Sequence, residues 1–504
     1  MPASRSVVIG VDSSTQSTKA AAVDADTGAL LAVGRAPHTV TGTAGARESD
    51  PEEWWTALVT AVRSAVRDAD VPAASVTGIA VAGQQHGLVT LGPGGRPLRP
   101  ALLWNDTRSA PQAAALAAHL GGPEAWAART GSVPVASMTA AKWQWLREHE
   151  PERADAATGV RLPHDHLTER LSGTAVTDPG DASGTCWYGT ATGAYDREVL
   201  DLIGLDPALL PALAPTGATR VGTLAPAAAE ALGLPRAVAV AAGTGDNMAA
   251  AVGLGLGGAG LLDHPVVSLG TSGTVFAATR ARPAAPGLAG FAATDGAGTY
   301  LPLGCTLNCT LAVDRFAALL GLDREDAVPG GGDGDGGGDG GGVVVLPYLD
   351  GERTPDLPHA AGLVTGLRHG TDPRAVLGAA YEGAAFTVLR ALDGLLAACG
   401  LDPAAPDVRD RPLRLIGGGA RGRFWTDTVR RLSGRPLVVP AAGELVALGA
   451  AALAAGAATG SDPVALATAW GTGAGEVLPA LPRDGETWDR IAGVLTAATP
   501  TLLS

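Results

Sequence analysis

Two short stretches of this chain follow one plan, and that plan restricts what the chain can fold into. Val7–Val11 is a β-branched run that ends in the polar turn Asp12-Ser13-Ser14-Thr15-Gln16-Ser17, after which a second run, Thr18–Val23, begins. Much further along, Val266–Leu269 leads through Gly270-Thr271-Ser272-Gly273-Thr274 into Val275–Ala278. Each copy reads as a strand, a small hydroxyl-rich turn and a strand. One copy per half of a 504-residue chain points to an internal duplication and two similar domains facing across a cleft. The length alone already exceeds one ordinary core.

The flanks extend the pattern. After the turn Asp24–Gly28, a third apolar run at Ala29–Val33 predicts a three-stranded antiparallel meander. Asp50-Pro51-Glu52-Glu53 then opens a helix, with Asp50 as cap and Pro51 at the first position. Trp55, Leu58, Val59, Val62 and Val66 recur at helical spacing as its apolar face, and Val76–Ala82 returns to a strand. In the C-terminal half a helix runs from Pro373 to about Ala398, and the strand Arg414–Ile416 ends in Gly417-Gly418-Gly419-Ala420. A helix over Phe424–Ser433, a strand over Pro436–Pro440 and an Ala-rich helix after Glu444 complete an α/β pattern. The stretch at 329–342, PGGGDGDGGGDGGG, has no apolar side chain to bury and reads as a mobile surface loop.

Composition narrows the function. An apolar fraction of 46% and a charged fraction of 17% describe a folded protein, and a net charge of −14 argues against a nucleic-acid surface. Arginine supplies most of the positive charge amid abundant Ala and Gly, a compositional signature, so Lys19 and Lys142 stand out as rare lysines. The four cysteines, Cys186, Cys305, Cys309 and Cys399, are too sparse for a disulfide framework, and Cys305 with Cys309 lacks the second pair a zinc site needs. Leu445–Ala458 is too short to span a bilayer, and Val7–Val11 is too short for a secretory leader. The expected setting is cytoplasmic, without membrane or nucleic-acid partners.

No Walker-type phosphate loop occurs, so backbone N–H groups and hydroxyls of the two turns are the candidates for cradling phosphate. Asp12, at the end of the first strand, is the candidate Mg²⁺ ligand. Gly243-Thr244-Gly245-Asp246-Asn247 follows the apolar run Ala237–Ala242, which places Asp246 at a strand end, where a carboxylate can accept the proton of a phosphoryl-accepting hydroxyl. By itself such an Asp is more often a solvated turn residue. Gly83–Gly87, Leu103–Asp106 and Leu162–His166 each set polar side chains directly after apolar runs, the pattern of a hydrogen-bonding sugar pocket. His164 and His166 lack a third partner for a metal.

Taken in order, AGQQHG (82–87), LLWNDTR (102–108), LPHDHL (162–167), DASGT (181–185), GTGDN (243–247), SLGTSGT (268–274), LPYLDGERTP (346–355) and IGGGARGRFW (416–425) resemble the FGGY carbohydrate kinases. That family lies within the actin/hexokinase/Hsp70-like ATPase superfamily, and the resemblance spans about Val8 to Gly456. It implies ribonuclease-H-like cores flanking a catalytic cleft, with 1–245 an N-terminal sugar-binding domain that carries the first phosphate turn. Residues 246–504 would form a C-terminal nucleotide-binding domain. It also implies phosphorylation of a small ketose by ATP and Mg²⁺, with Asp246 as base. Gln85, His86, Trp104, Asp106 and Asn247 would bind the sugar. Asp12, Ser14, Thr15, Gly270, Thr271, Ser272, Gly273, Thr274, Gly417, Gly418, Gly419 and Ala420 would bind the nucleotide and its phosphates. A homodimer is common in such families. Gln85 stands where members often carry methionine, and His164 where a lysine is common. The stretch Gly351–Pro355 fits a loop anchor. The rival readings are an FGGY kinase for ribulose, a polyol, gluconate or glycerol, and a non-catalytic actin-like nucleotide-binding protein.

Overall fold

The first hydroxyl-rich turn closes a hairpin between β1 (Val7–Ser13) and β2 (Ser17–Asp24), with Ser13 opposite Thr18. β3 (Leu30–Pro37) pairs antiparallel with β2 and completes the expected meander. The computed structural model describes residues 5–257, 260, 262–296, 298–329, 342–357 and 359–502. Of the glycine–aspartate stretch expected to be a mobile loop, 330–341 lie outside the described residues. The chain divides into two units, one built from Met1–Leu261, Ala278–Leu301 and Ala442–Gly473, the other from Leu262–Ala277, Pro302–Ala441 and Ala474–Ser504.

In the first unit, α1 (Pro51–Asp68) starts where expected, with the Asp50 side chain accepting from the Glu52 N–H and Pro51 in the first turn. Its buried stripe is rotated by one residue from the expected one. Trp54, Leu58, Ala61, Val62 and Ala65 are buried, whereas Trp55, Val59 and Val66 are only partly so. The two tryptophans decide this. Trp54 has a buried acceptor for its indole N–H, Ser49 Oγ at 2.8 Å, while the Trp55 ring is covered by the Arg170 guanidinium 4.8 Å from its centroid. β4 (Val76–Gly83) then lies parallel to β1. With β5 (Arg220–Thr223) and β6 (Ala239–Ala241) the order is β5-β6-β4-β1-β2-β3, and Thr244–Gly245 extends the pairing along β4. Two helices matter for the site, α2 (Pro163–Ser172) and α3 (Asp246–Gly253).

The second unit repeats this plan. β7 (Val266–Leu269) and β8 (Gly273–Phe276) form the second hairpin, with Leu269 opposite Gly273. β9 (Tyr300–Thr306) pairs antiparallel with β8. α4 (Thr310–Leu320) and α5 (Pro373–Ala398) follow, and then β10 (Leu413–Ile416) runs parallel to β7. After α6 (Arg423–Ser433), β11 (Leu437–Pro440) is parallel to β10. Both sheets thus contain a meander followed by two parallel strands, the duplication anticipated from the two turns. α5 is long and apolar enough to cross a membrane by length and composition, but 89% of its most apolar window is buried, as befits a core helix.

The Ala-rich α7 (Leu445–Thr459) returns to the first unit. Backbones touch there. A Cβ on Gly10 of β1 would lie 1.9 Å from the Ala447 carbonyl oxygen, and one on Gly449 would lie 1.8 Å from that of Ala249 in α3. Small residues are therefore a packing requirement in this helix as well as a compositional habit. The α3–α7 contact also carries the first unit past residue 245, so Asp246 belongs with β1 and β4. Gly449→Ala is expected to destabilise the unit by about 3 kcal/mol through overpacking. The urea midpoint should fall with an unchanged slope, and an unaltered midpoint would mean that the two helices part without cost.

Candidate active site

Asp246 opens α3 and is preceded by Gly245 as the cap residue, so it sits at a helix N-terminus rather than in an open turn. Its Oδ1 accepts from the Asn247 N–H at 2.8 Å. The helix end favours a negative charge, yet burial, followed by the nearby Asp12 and Asp181 carboxylates, pushes its pKa up to about 7. A carboxyl poised near neutrality can both take and release a proton at physiological pH.

Asp12, one residue before the end of β1, lies opposite Lys19 of β2, with Ala82 of β4 on its other side. Its Oδ1 accepts from Ser14 Oγ at 2.6 Å, and Lys19 Nζ stands 4.0 Å from Oδ2 while binding Glu444 Oε2 at 2.7 Å. Burial raises the Asp12 pKa despite the Ser14 hydrogen bond and Lys19. The rare lysine noted in the sequence is thus the cation beside this carboxylate. Thr15 accepts from the Trp104 indole N–H at 3.0 Å, which ties the half-exposed Trp104 to the turn.

Gln85, two residues beyond β4, links three groups. Its Oε1 accepts from Asn247 Nδ2 at 2.7 Å, and its Nε2 points to Asp181 Oδ1 at 3.4 Å and Met248 Sδ at 3.3 Å. His86 holds a left-handed backbone, φ 64°, and donates Nδ1–H to the Gly184 carbonyl at 2.9 Å, with its ring against Phe291. Gln85 and Asn247 are thereby joined and Asn247 is bonded to Asp246, while His86 is held by Gly184 and Phe291. Asp106 is engaged differently. Its oxygens accept from Arg108 and from the Arg47 N–H at 2.8 Å. Although burial opposes it, these bonds lower its pKa and hold it ionised. Asp106 therefore secures the loop that carries Trp104.

Sequence reasoning left two members of this cluster without a role. Asp181 and His164 are fully buried, with His164 Nδ1–H donating to Asp181 Oδ2 at 2.7 Å. The signal was present in Asp178-Pro179-Gly180-Asp181, a cap–proline start that fixes Asp181 in a short helix, Asp178 accepting from the Gly180 and Asp181 N–H groups. His166, two residues on, is buried and neutral, its pKa pushed down to about 3 by burial and by Arg170 and Arg161.

In the second unit, the turn Gly270–Thr274 is anchored to the start of α4. The Thr310 N–H and hydroxyl both bind the Gly270 carbonyl, at 3.0 and 2.8 Å. Gly417 caps a short 3₁₀ turn through Gly418, Gly419 and Ala420 that precedes α6. This turn borders a cavity of about 380 Å³ also lined by Tyr381, Phe424 and Trp425, with the Tyr381 ring edge-on to both neighbours at 4.7 and 4.8 Å. An aromatic-walled cavity beside a glycine turn suits a flat heterocycle.

Residues 7–253 match the N-terminal domain of the FGGY family of carbohydrate kinases, and residues 266–458 match its C-terminal domain. The xylulose kinase of Streptomyces rubiginosus is 56% identical over 500 residues, covering 98% of this chain and 97% of the relative. The crystal structure of xylulose kinase from Bifidobacterium adolescentis superposes with a TM-score of 0.79 at 31% identity, covering 97% of this chain and 99% of that one. A gluconate kinase from Lactobacillus acidophilus reaches a TM-score of 0.85 at 20% identity, with 99% of each chain covered, so the fold is shared across acceptors and does not choose among them. A carboxyl at a helix start among hydrogen-bonding side chains suits phosphoryl transfer to an alcohol. The chain belongs to the FGGY family of carbohydrate kinases, enzymes that use ATP.

Proposed function

We propose that this kinase phosphorylates D-xylulose at its 5-hydroxyl, giving D-xylulose 5-phosphate and ADP. The observation that carries the mechanism is the placement of Asp246 beside Asn247 and Gln85, with a pKa raised to about 7. The choice of sugar is supported by the 56% identity to a xylulose kinase over nearly the whole chain. Asp246 accepts the hydroxyl proton as the oxygen attacks the γ-phosphorus, and ADP departs with the bonding electrons. Asn247, His86, Gln85 and Trp104 orient the sugar. In the first unit Ser14 and Thr15 are the proposed phosphate contacts; in the second unit, described by itself, Gly270–Thr274 is the proposed phosphate turn and Gly417–Ala420 with the aromatic cavity the proposed nucleoside site.

Mg²⁺ suits Asp12, since this ion takes one or two carboxylates and fills its shell with phosphate oxygens and water. When bound it would neutralise the charge of the phosphates. Free cysteines support a reducing, cytoplasmic setting. A homodimer is the assembly proposed by family analogy, and light scattering in solution tests it.

A panel of D-xylulose, D-ribulose, D-gluconate, glycerol and pentitols with coupled ADP detection tests the substrate. D-xylulose should give the highest kcat/KM by at least about tenfold, and a higher value for another acceptor overturns the assignment. Because the base must be ionised, kcat/KM should rise with pH through about 7 and level off above it. A profile flat from pH 5.5 to 8 would remove Asp246 from the role.

A further inference from the structure

We infer that His164 and Asp181 are positioning residues for the sugar, acting through Gln85 on Asn247. The inference rests on the proposed function. It also accounts for a feature that function leaves unused, the buried His164–Asp181 pair next to Gln85.

The chain of contacts is continuous. His164 Nδ1–H donates to Asp181 Oδ2 at 2.7 Å, Gln85 Nε2 faces Asp181 Oδ1 at 3.4 Å, and Gln85 Oε1 accepts from Asn247 Nδ2 at 2.7 Å. Asn247 also donates its backbone N–H to Asp246. Each link has a direction. With Asp181 Oδ2 taken up by His164 Nδ1–H, Oδ1 is the oxygen that faces Gln85, and it favours the Gln85 rotamer whose Nε2 points inward. That rotamer turns Oε1 toward Asn247 and fixes its amide. Without the anchored Asp181, the weak acceptor Met248 Sδ at 3.3 Å is left for Gln85 Nε2.

His164 meets the requirements of an anchor. It is fully buried in α2, with Asp165 Oδ1 at 3.2 Å and Asp178 Oδ1 at 3.8 Å from Nε2, so three carboxylates surround the ring. Burial alone would discharge it, but Asp165, Asp181 and Asp178 outweigh burial and raise its pKa to about 9. Asp178 is itself fixed, accepting from Thr244 Oγ1 at 2.7 Å next to the glycine that precedes Asp246. The fit is tight at that glycine. A Cβ on Gly245 would stand 2.7 Å from Gln85 Cγ and 2.9 Å from Asp181 Oδ1.

The test measures kcat and both KM values for His164→Gln and His164→Lys, using the acceptor identified by the substrate panel. His164→Gln should raise the sugar KM about tenfold, with the ATP KM within twofold of the parent, and His164→Lys should restore the sugar KM by returning a buried cation. Gln85→Met cuts the chain in the middle, so adding His164→Gln to it should raise the sugar KM no further. Should His164→Gln not fold, Asp181→Asn and its combination with Gln85→Met provide the same cycle. Equal loss on sugar and ATP, failure of the lysine rescue, or additive effects in the double variant would overturn the relay. Failure of the parent chain to turn over any panel sugar would instead overturn the function on which it rests.

Discussion

Asp246→Asn is expected to give a folded kinase that binds ATP normally, turns over at least about 10²-fold more slowly, and is more stable than its parent at pH 8. The two effects have one cause. Burial, with Asp12 and Asp181 close by, raises the carboxyl pKa from its usual range to about 7, so the ionised form that catalysis needs is the form the fold resists. A carboxylate with a raised native pKa weakens the fold above its unfolded pKa. The penalty grows up to about pH 7 and is constant beyond it. Asparagine keeps the shape and removes the charge. With solvent reaching the partly exposed carboxyl, the gain should be on the order of 1–2 kcal/mol at pH 8 and vanish below about pH 4. Thermal melts at pH 4 and pH 8, with kcat from single-turnover assays, check both halves. Near-parental kcat would assign the base elsewhere. Loss of ATP binding together with kcat would show that Asp246 acts on the nucleotide.

Glu352→Ala is expected to be the most damaging single change in the second unit. The Glu352 side chain is almost completely buried, and its oxygens accept from the backbone N–H groups of Leu307, Asn308 and Arg353 at 2.6, 3.3 and 2.8 Å, and from Asn308 Nδ2 at 3.2 Å. It therefore clamps the segment that enters α4, the helix whose first residue holds the Gly270 turn. Truncation leaves several buried donors without an acceptor, each costing about 1–3 kcal/mol, so a total loss of about 3 kcal/mol or more follows. Because two units can melt separately, the loss should appear in the transition of the second unit. Glu352→Gln, which keeps an acceptor but turns a donor toward the N–H groups, should fall between. A fully parental melt for Glu352→Ala would show that water replaces the carboxylate.

This assigns a physical role to the stretch Gly351–Pro355, which the sequence marked as notable without revealing any chemistry. The opposite happened at Asp106. A polar residue after an apolar run looked like a pocket group, and its oxygens prove to be engaged by Arg108 and the Arg47 backbone. One-dimensional pattern shows that a carboxylate follows a strand. It does not show which arginine folds back to meet it.

The helix α1 marks the same boundary. Asp50 and Pro51 define its start because capping and proline geometry are local, acting within three residues. Which tryptophan faces inward depended on partners elsewhere, Ser49 for Trp54 and Arg170 for Trp55. The Ala-rich stretch was legible as a helix, but only the fold shows that its small residues are set by backbone contacts with β1 and α3.

What the sequence by itself determined is therefore the local and the repeated. It carried the two hydroxyl-rich hairpins, the α/β alternation, the carboxylates at the ends of strands, and enough ordered motifs to identify the family. Each of these rests on turn chemistry or side-chain periodicity, which nearby residues control. Only the tertiary structure decided that Asp246 opens a helix within reach of the Asp12 and Asp181 charges, and that Lys19 serves Asp12. It alone revealed that His164 lies buried against Asp181, behind Gln85. These are electrostatic facts, set by distance and burial between residues up to hundreds of positions apart, and no local spacing encodes them.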